Sequence, residues 1–303
     1  MQRTAFAPLA LIGAARGSTR RRQRVLAVLF MAPAAVLCLA PIAYALGLEI
    51  WFSVSDAGPG SNGRFIGAAN FRFLAGLDSF WQMLFNTAVY TGTSTLFKLA
   101  LGLVMALALV RPFLGRRLVY AALFLPFIFP VVLGTIAWYF LFTNVHGGLD
   151  WLMLRAHLIT QPVDWRGRLP LLSVVIVNVW HGSALFGVLL LAAMRSVPSD
   201  LLDAAAVDGA DRMRQFLHIV IPYLKPAAVL GCILSVLGNF GDFATVELLT
   251  RGGPLGRSQI VSTYAFENAL ISGTLGVGAA VAVVLIPAYV IALIVAFRLV
   301  GRR

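Results

Sequence analysis

The chain has 303 residues, of which 60% are hydrophobic and 12% charged, far more apolar than the roughly 45–50% of ordinary soluble domains. That composition excludes a soluble globular enzyme. The net charge of +12 is compatible with a nucleic-acid surface, an anionic lipid surface or the basic bias of cytoplasmic loops, and the placement of the charges separates these.

Crossing about 30 Å of hydrocarbon takes roughly 20 apolar residues at 1.5 Å each. Six such runs are expected to be helical spans, at about 25–48, 84–110, 118–142, 171–194, 225–249 and 274–297. Lipid offers no partner to a free backbone amide, so each must be helical. The first run follows Arg20, Arg21, Arg22 and Arg24 and exceeds the roughly 7–15 apolar residues of a cleavable leader. It therefore reads as a retained span behind a basic cytoplasmic tail, 1–24, with the membrane domain covering 25–303.

With the N-terminus placed in the cytoplasm, basic residues gather on that side. Arg111, Arg116 and Arg117, then Arg195, Arg212, Arg214 and Lys225, then Arg298, Arg302 and Arg303 join the tail. The other face holds Arg64, Arg72, Arg155, Arg166, Arg168, Arg251 and Arg257. The charge thus follows membrane topology with both termini cytoplasmic, and nucleic acid is not an expected partner. Cys38 and Cys232 sit in apolar runs, and His146, His157, His181 and His218 lack metal-ligand spacing. No catalytic or metal site is expected.

Among the cytoplasmic connections, the one between spans four and five stands out. From Ser199 to Pro222 it reads SDLLDAAAVDGADRMRQFLHIVIP. Ser199 is placed to cap a helix starting near Asp200, Gly209 to allow a sharp turn, and Pro222 to end a second helix over Arg212 to Ile219. Two short amphipathic helices at a turn form a docking knob rather than a span.

Within this loop Asp203, Ala204, Ala205, Gly209, Ile219, Ile221 and Pro222 keep the spacing of Glu-Ala-Ala, three residues, Gly, nine residues, Ile, one residue, Leu-Pro. Asp208 and Ala210 extend the match. The chain here resembles the membrane subunits of binding-protein-dependent ABC importers, with Asp203 for Glu and Ile221 for Leu as departures. Further stretches resemble the carbohydrate branch, maltose-type and glycerol-phosphate-type. They are Phe65 to Phe71, Asn86-Thr87, Leu125-Pro126 with Pro130, Trp180, and Leu249 to Pro254.

The resemblance implies an all-α, six-span permease whose loop 199–222 couples to a separate ATPase. It implies a second homologous permease, two copies of an ATP-binding subunit and an extracytoplasmic solute-binding protein as partners, in a bacterial-type inner membrane. The chain's only lysines, Lys98 and Lys225, lie outside any GxxxxGK[ST] pattern, so ATP and Mg²⁺ belong to the partner and this chain carries no cofactor and is not an enzyme.

A solute path needs polar groups at bilayer depth, where ionisable residues tend to face cavities. Asn178, His181 and Gly182 share one face of span four, and Ser235, Asn239 and Asp242 one face of span five. In the maltose-type permease the resemblance aligns these positions with sugar-contacting residues, whereas two further contact positions fall on the apolar Phe127 and Val131. A sugar or sugar derivative is the expected solute. The Asp242 carboxylate equally suits a cationic amine, which leaves polyamine-like or amino-acid-like cargo open, and a gradient-driven transporter is the rival of another class. Lys98 in span two receives no role.

Overall fold

The computed structural model describes residues 10–143 and 147–300; Arg3, His146, Arg302 and Arg303 lie outside the described residues. The chain forms two compact units, 1–51 and 52–303. Among the described residues the only extended pairing is one bridge between Ser55 and Phe65. Among the described residues five helices are long and apolar enough to cross a membrane, or six if one bent pair counts as a single span.

Helix α1 runs over Ala10–Ser53, longer than the expected 25–48 at both ends. A short α2, Ala69–Ala75, precedes α3, Asp78–Val110. Asp78 in the first turn of α3 complements the helix dipole. At the other end Arg111 is extended, with ψ 144°, because the residue before Pro112 is excluded from helical geometry.

The third expected span, 118–142, is not one helix. It divides into α4, Arg116–Ile128, and α5, Val131–Leu141, which meet at 100°. The cause is local: Pro130 drives Phe129 to ψ 133°, and its missing N–H cannot continue the ladder. After α6, Gly148–Arg155, helix α7 spans Pro170–Arg195 with proline in its first turn, where the absent amide has no intrahelical partner to lose.

The loop after α7 contains α8, Ser199–Val207, and α9, Arg212–Gln215. Two expectations fail here. Ser199 caps nothing and donates instead to Asp200. Pro222 does not end the second helix, because the chain stays helical from Arg212 to Phe240. One wide turn over Phe216–Val220, in which the Ile221 amide reaches back to the Phe216 carbonyl, admits the proline at the start of α10, Ile221–Phe240.

The fifth expected span, 225–249, breaks at Gly241 and Asp242, and α11, Phe243–Leu249, follows as a separate helix. α12, Val261–Phe266, continues through a wide turn over Glu267–Ile271. The last apolar stretch consists of α13, Leu275–Val283, and α14, Ile286–Val300; Pro287 explains the interruption inside the expected 274–297.

α3 and α7 form the central pair. Gly102 faces the backbone of Phe186 and Gly187 so closely that a built Cβ would lie 2.9 Å from Phe186 C and from Gly187 N. Around this crossing three apolar clusters form. One joins Tyr90, Phe142, Trp165, Val174 and Val246, a second Leu74, Met83, Val261 and Val281, and a third Leu109, Phe124, Leu190 and Leu224.

Candidate functional site: a polar cavity and an exposed loop

α3, α7 and α10 together with the two chain breaks line a half-open cavity of about 540 Å³. Its wall includes Asn178, His181, Gly182, Ser235, Asn239 and Asp242, so all six expected path residues lie on one cavity. Phe127, Val131 and Trp180 contribute apolar surface. The volume falls within the roughly 300–1,000 Å³ of small-molecule sites.

Asp242 sits at the break between α10 and α11 rather than inside a helix. Its Oδ1 accepts the Thr245 amide at 3.2 Å, capping α11. Oδ2 accepts the Tyr90 hydroxyl and, at 2.9 Å, the Asn178 amide. Three protein donors therefore hold this carboxylate, and its two oxygens are fixed across α3, α7 and α11.

His181 is tied to the other break. Its Nε2 lies 3.1 Å from the Phe129 carbonyl oxygen, and a carbonyl only accepts, so Nε2 carries the proton. The ring thereby satisfies a backbone group that Pro130 has removed from the helical ladder. Irregular backbone at membrane depth is tolerated where it is buried in protein or lines a cavity, and Phe127 and Val131 place this break on the cavity wall.

Lys98 is the residue sequence reasoning left without a role. It is 6% exposed, and its Nζ donates to Asn239 Oδ1 at 2.9 Å and Ser235 Oγ at 3.3 Å. Ser235 also shares a 2.9 Å hydrogen bond with Thr95. Gly182 makes room for the stem: a built Cβ would lie 2.9 Å from Lys98 Cδ and 3.0 Å from Nζ. A charged residue at mid-membrane costs about 2.5–3.5 kcal/mol on insertion scales, so the arrangement needs a compensating contact. Tyr90 and Thr95 were also missed. The polar series Thr87, Thr91, Ser94, Thr95 and Lys98 follows helical spacing along one face of α3 and was readable as a buried stripe.

The residues of the loop 199–222 form a capped, exposed turn. Gly209 has φ +81°, and the Ala210 and Gly209 amides return to the Ala205 and Ala206 carbonyls at 2.8 and 3.1 Å. This is the glycine-dependent closure of a helix C-terminus, and it accounts for the glycine at that position. Asp211 then caps α9 through the Arg214 amide at 2.8 Å. Asp203, Ala204, Asp208 and Pro222 are exposed, Ile219 half-buried, and Leu201, Val207 and Met213 leave apolar side chains in the open.

Two of the other stretches quoted from the sequence, Phe65 to Phe71 and Asn86-Thr87, pin loops rather than line the cavity. Asn70 donates to the Ser53 and Ser55 carbonyls at 3.0 and 2.8 Å. Asn86 donates to the Gly256 and Gln259 carbonyls at 2.8 and 3.1 Å, and Thr87 accepts the Val261 amide at 3.1 Å.

Residues 98–303 match the family described as "binding-protein-dependent transport system inner membrane component". The chain belongs to this family. Its members are transport components of the inner membrane, not enzymes. The trehalose transport system permease protein SugA of Mycobacterium tuberculosis is 30% identical over 303 residues, covering 99% of this chain and 95% of that one. The trehalose/maltose transport system permease protein MalF of Thermococcus litoralis is 30% identical over 222 residues, covering 72% and 74%. In fold, this permease component resembles a chain of the bacterial alginate ABC transporter in complex with alginate pentasaccharide-bound periplasmic protein, with TM-score 0.73, 19% identity and coverage of 93% and 94%.

Proposed function

We propose that this chain is the permease subunit of an ATP-driven ABC importer and forms half of the translocation path for a small polar solute, a sugar or sugar derivative. The observation that carries the reading is the convergence of Lys98, Asn178, Ser235, Asn239 and Asp242 on one cavity inside an otherwise apolar bundle. Membership of a binding-protein-dependent family and relatives named for trehalose and maltose transport support it. A second homologous permease completes the path, an extracytoplasmic binding protein delivers the solute, and two copies of an ATP-binding subunit hold ATP and Mg²⁺. The termini are cytoplasmic, and the loop 199–222 seats on the ATPase. Closure of that ATPase is transmitted as rigid-body movement of the helices between two access states.

Purification from the native membrane in mild detergent tests the reading. Wild type is compared with a chain carrying Ala205→Asp and Gly209→Asp, and co-purifying chains are identified by mass spectrometry. A P-loop ATPase and a second permease are expected with wild type and lost from the variant. Recovery of this chain alone from both samples refutes the importer assembly and favours gradient-driven transport.

A further inference from the structure

We infer that the solute of this cavity is a sugar-sized molecule bearing an anionic group, such as a carboxylate or phosphate, and that the Lys98 ammonium is what recognises it. The inference rests on the sugar-importer reading and narrows its substrate class.

The cavity holds one cation and one carboxylate, and the two are not equivalent. Lys98 has three N–H donors, of which two go to the uncharged Asn239 and Ser235. Among the described residues it makes no contact ion pair, Asp242 acting on it only at longer range, so one donor stays without a protein partner at the cavity wall. Asp242, in contrast, is already held by Tyr90, Asn178 and the Thr245 amide. A cationic solute would approach an ammonium that has no contact ion pair and a carboxylate already held by three protein donors. Charge complementarity therefore runs toward an anion.

A neutral sugar needs no charge at this place, since an amide or hydroxyl would offer donors without the desolvation cost of a buried cation. The glycine at 182 is spent on accommodating this side chain, because any Cβ there would press on Lys98 Cδ and Nζ. A sugar frame is consistent with the remaining wall, where Asn178, Ser235 and Asn239 lie beside the Trp180 ring.

The test uses the complete assembly in proteoliposomes, with both permeases, the ATPase and the binding protein. Labelled D-glucuronate, D-glucose 6-phosphate, trehalose, maltose and spermidine are the probes. Wild type is compared with Lys98→Met and Lys98→Arg, each first shown to co-purify with its partners. An imported anionic sugar, lost about tenfold or more in Lys98→Met and retained in Lys98→Arg, supports the assignment. Import of neutral sugars alone, or undiminished import of an anionic sugar by assembled Lys98→Met, overturns it and leaves the sugar-importer reading standing. Import of spermidine alone, or of no probe, overturns that reading as well. The wild-type probe series decides the substrate class even if Lys98→Met does not assemble.

Discussion

Gly102→Ala is the sharpest test of how the cavity is framed, because Gly102 lies one helical turn beyond Lys98 at the closest approach of α3 and α7. The added methyl would sit 2.9 Å from Phe186 C and Gly187 N, where carbon contacts settle at about 3.5–4.0 Å. Neither atom belongs to a side chain that can rotate away, so the two helices must part by roughly 1 Å. Overpacking of this kind costs about 1–3 kcal/mol, and backbone obstruction places it at the upper end, about 3 kcal/mol. The shift also carries Lys98 away from Gly182 and the cavity wall, so transport should fall along with stability. Gly92→Ala, on the same helix with nothing within 4 Å of the built Cβ, is the matched control and should be neutral or slightly stabilising. Thermal unfolding of both purified variants in detergent, followed by size-exclusion chromatography, gives the comparison. Unfolding of Gly102→Ala within about a degree of Gly92→Ala would refute the packing argument, since a 3 kcal/mol loss corresponds to several degrees.

Three further outcomes are expected. At Gly209, with φ +81° and open space around it, Ala should weaken ATPase co-purification through a backbone cost of about 1 kcal/mol and Asn should be better tolerated, since Asn enters the left-handed region more readily; equal retention of the ATPase by both would contradict this. His181→Phe should destabilise the chain by about 0.5–1.5 kcal/mol, the net worth of its hydrogen bond to the exposed Phe129 carbonyl, and His181→Gln should recover part of the loss; the check is thermal unfolding in detergent. Asp242→Asn should unfold closer to wild type than Asp242→Ala, because the amide keeps an acceptor for the α11 cap while alanine abandons Tyr90, Asn178 and the Thr245 amide together. Identical melting of the two would argue that the three contacts contribute little.

The helical membrane class was legible in the sequence because the bilayer imposes one rule, about 20 apolar residues wound into hydrogen-bonded helices, that needs no knowledge of neighbours. The turn at Gly209 in the loop 199–222 was legible for a similar reason, since its glycine closure is formed by residues five apart in the chain. Local breaks were recorded there too but misread: Pro130 and Pro222 both announced a disturbance, yet one bends a span by 100° and the other is absorbed by a wide turn. Which outcome prevails depends on whether another element satisfies the freed backbone, as His181 does for Phe129.

Only the tertiary structure decided the chemistry of the cavity. Asn178, Ser235, Asn239 and Asp242 were visible as polar residues on helical faces, but their partners come from α3, at sequence separations that no periodicity encodes. Tyr90 meets Asp242 across 152 residues and Lys98 meets Asn239 across 141. A sequence lists a lysine and an aspartate as two charges of opposite sign. Three-dimensional contacts alone show that protein donors hold the carboxylate and that the ammonium is left with a free donor at the cavity wall.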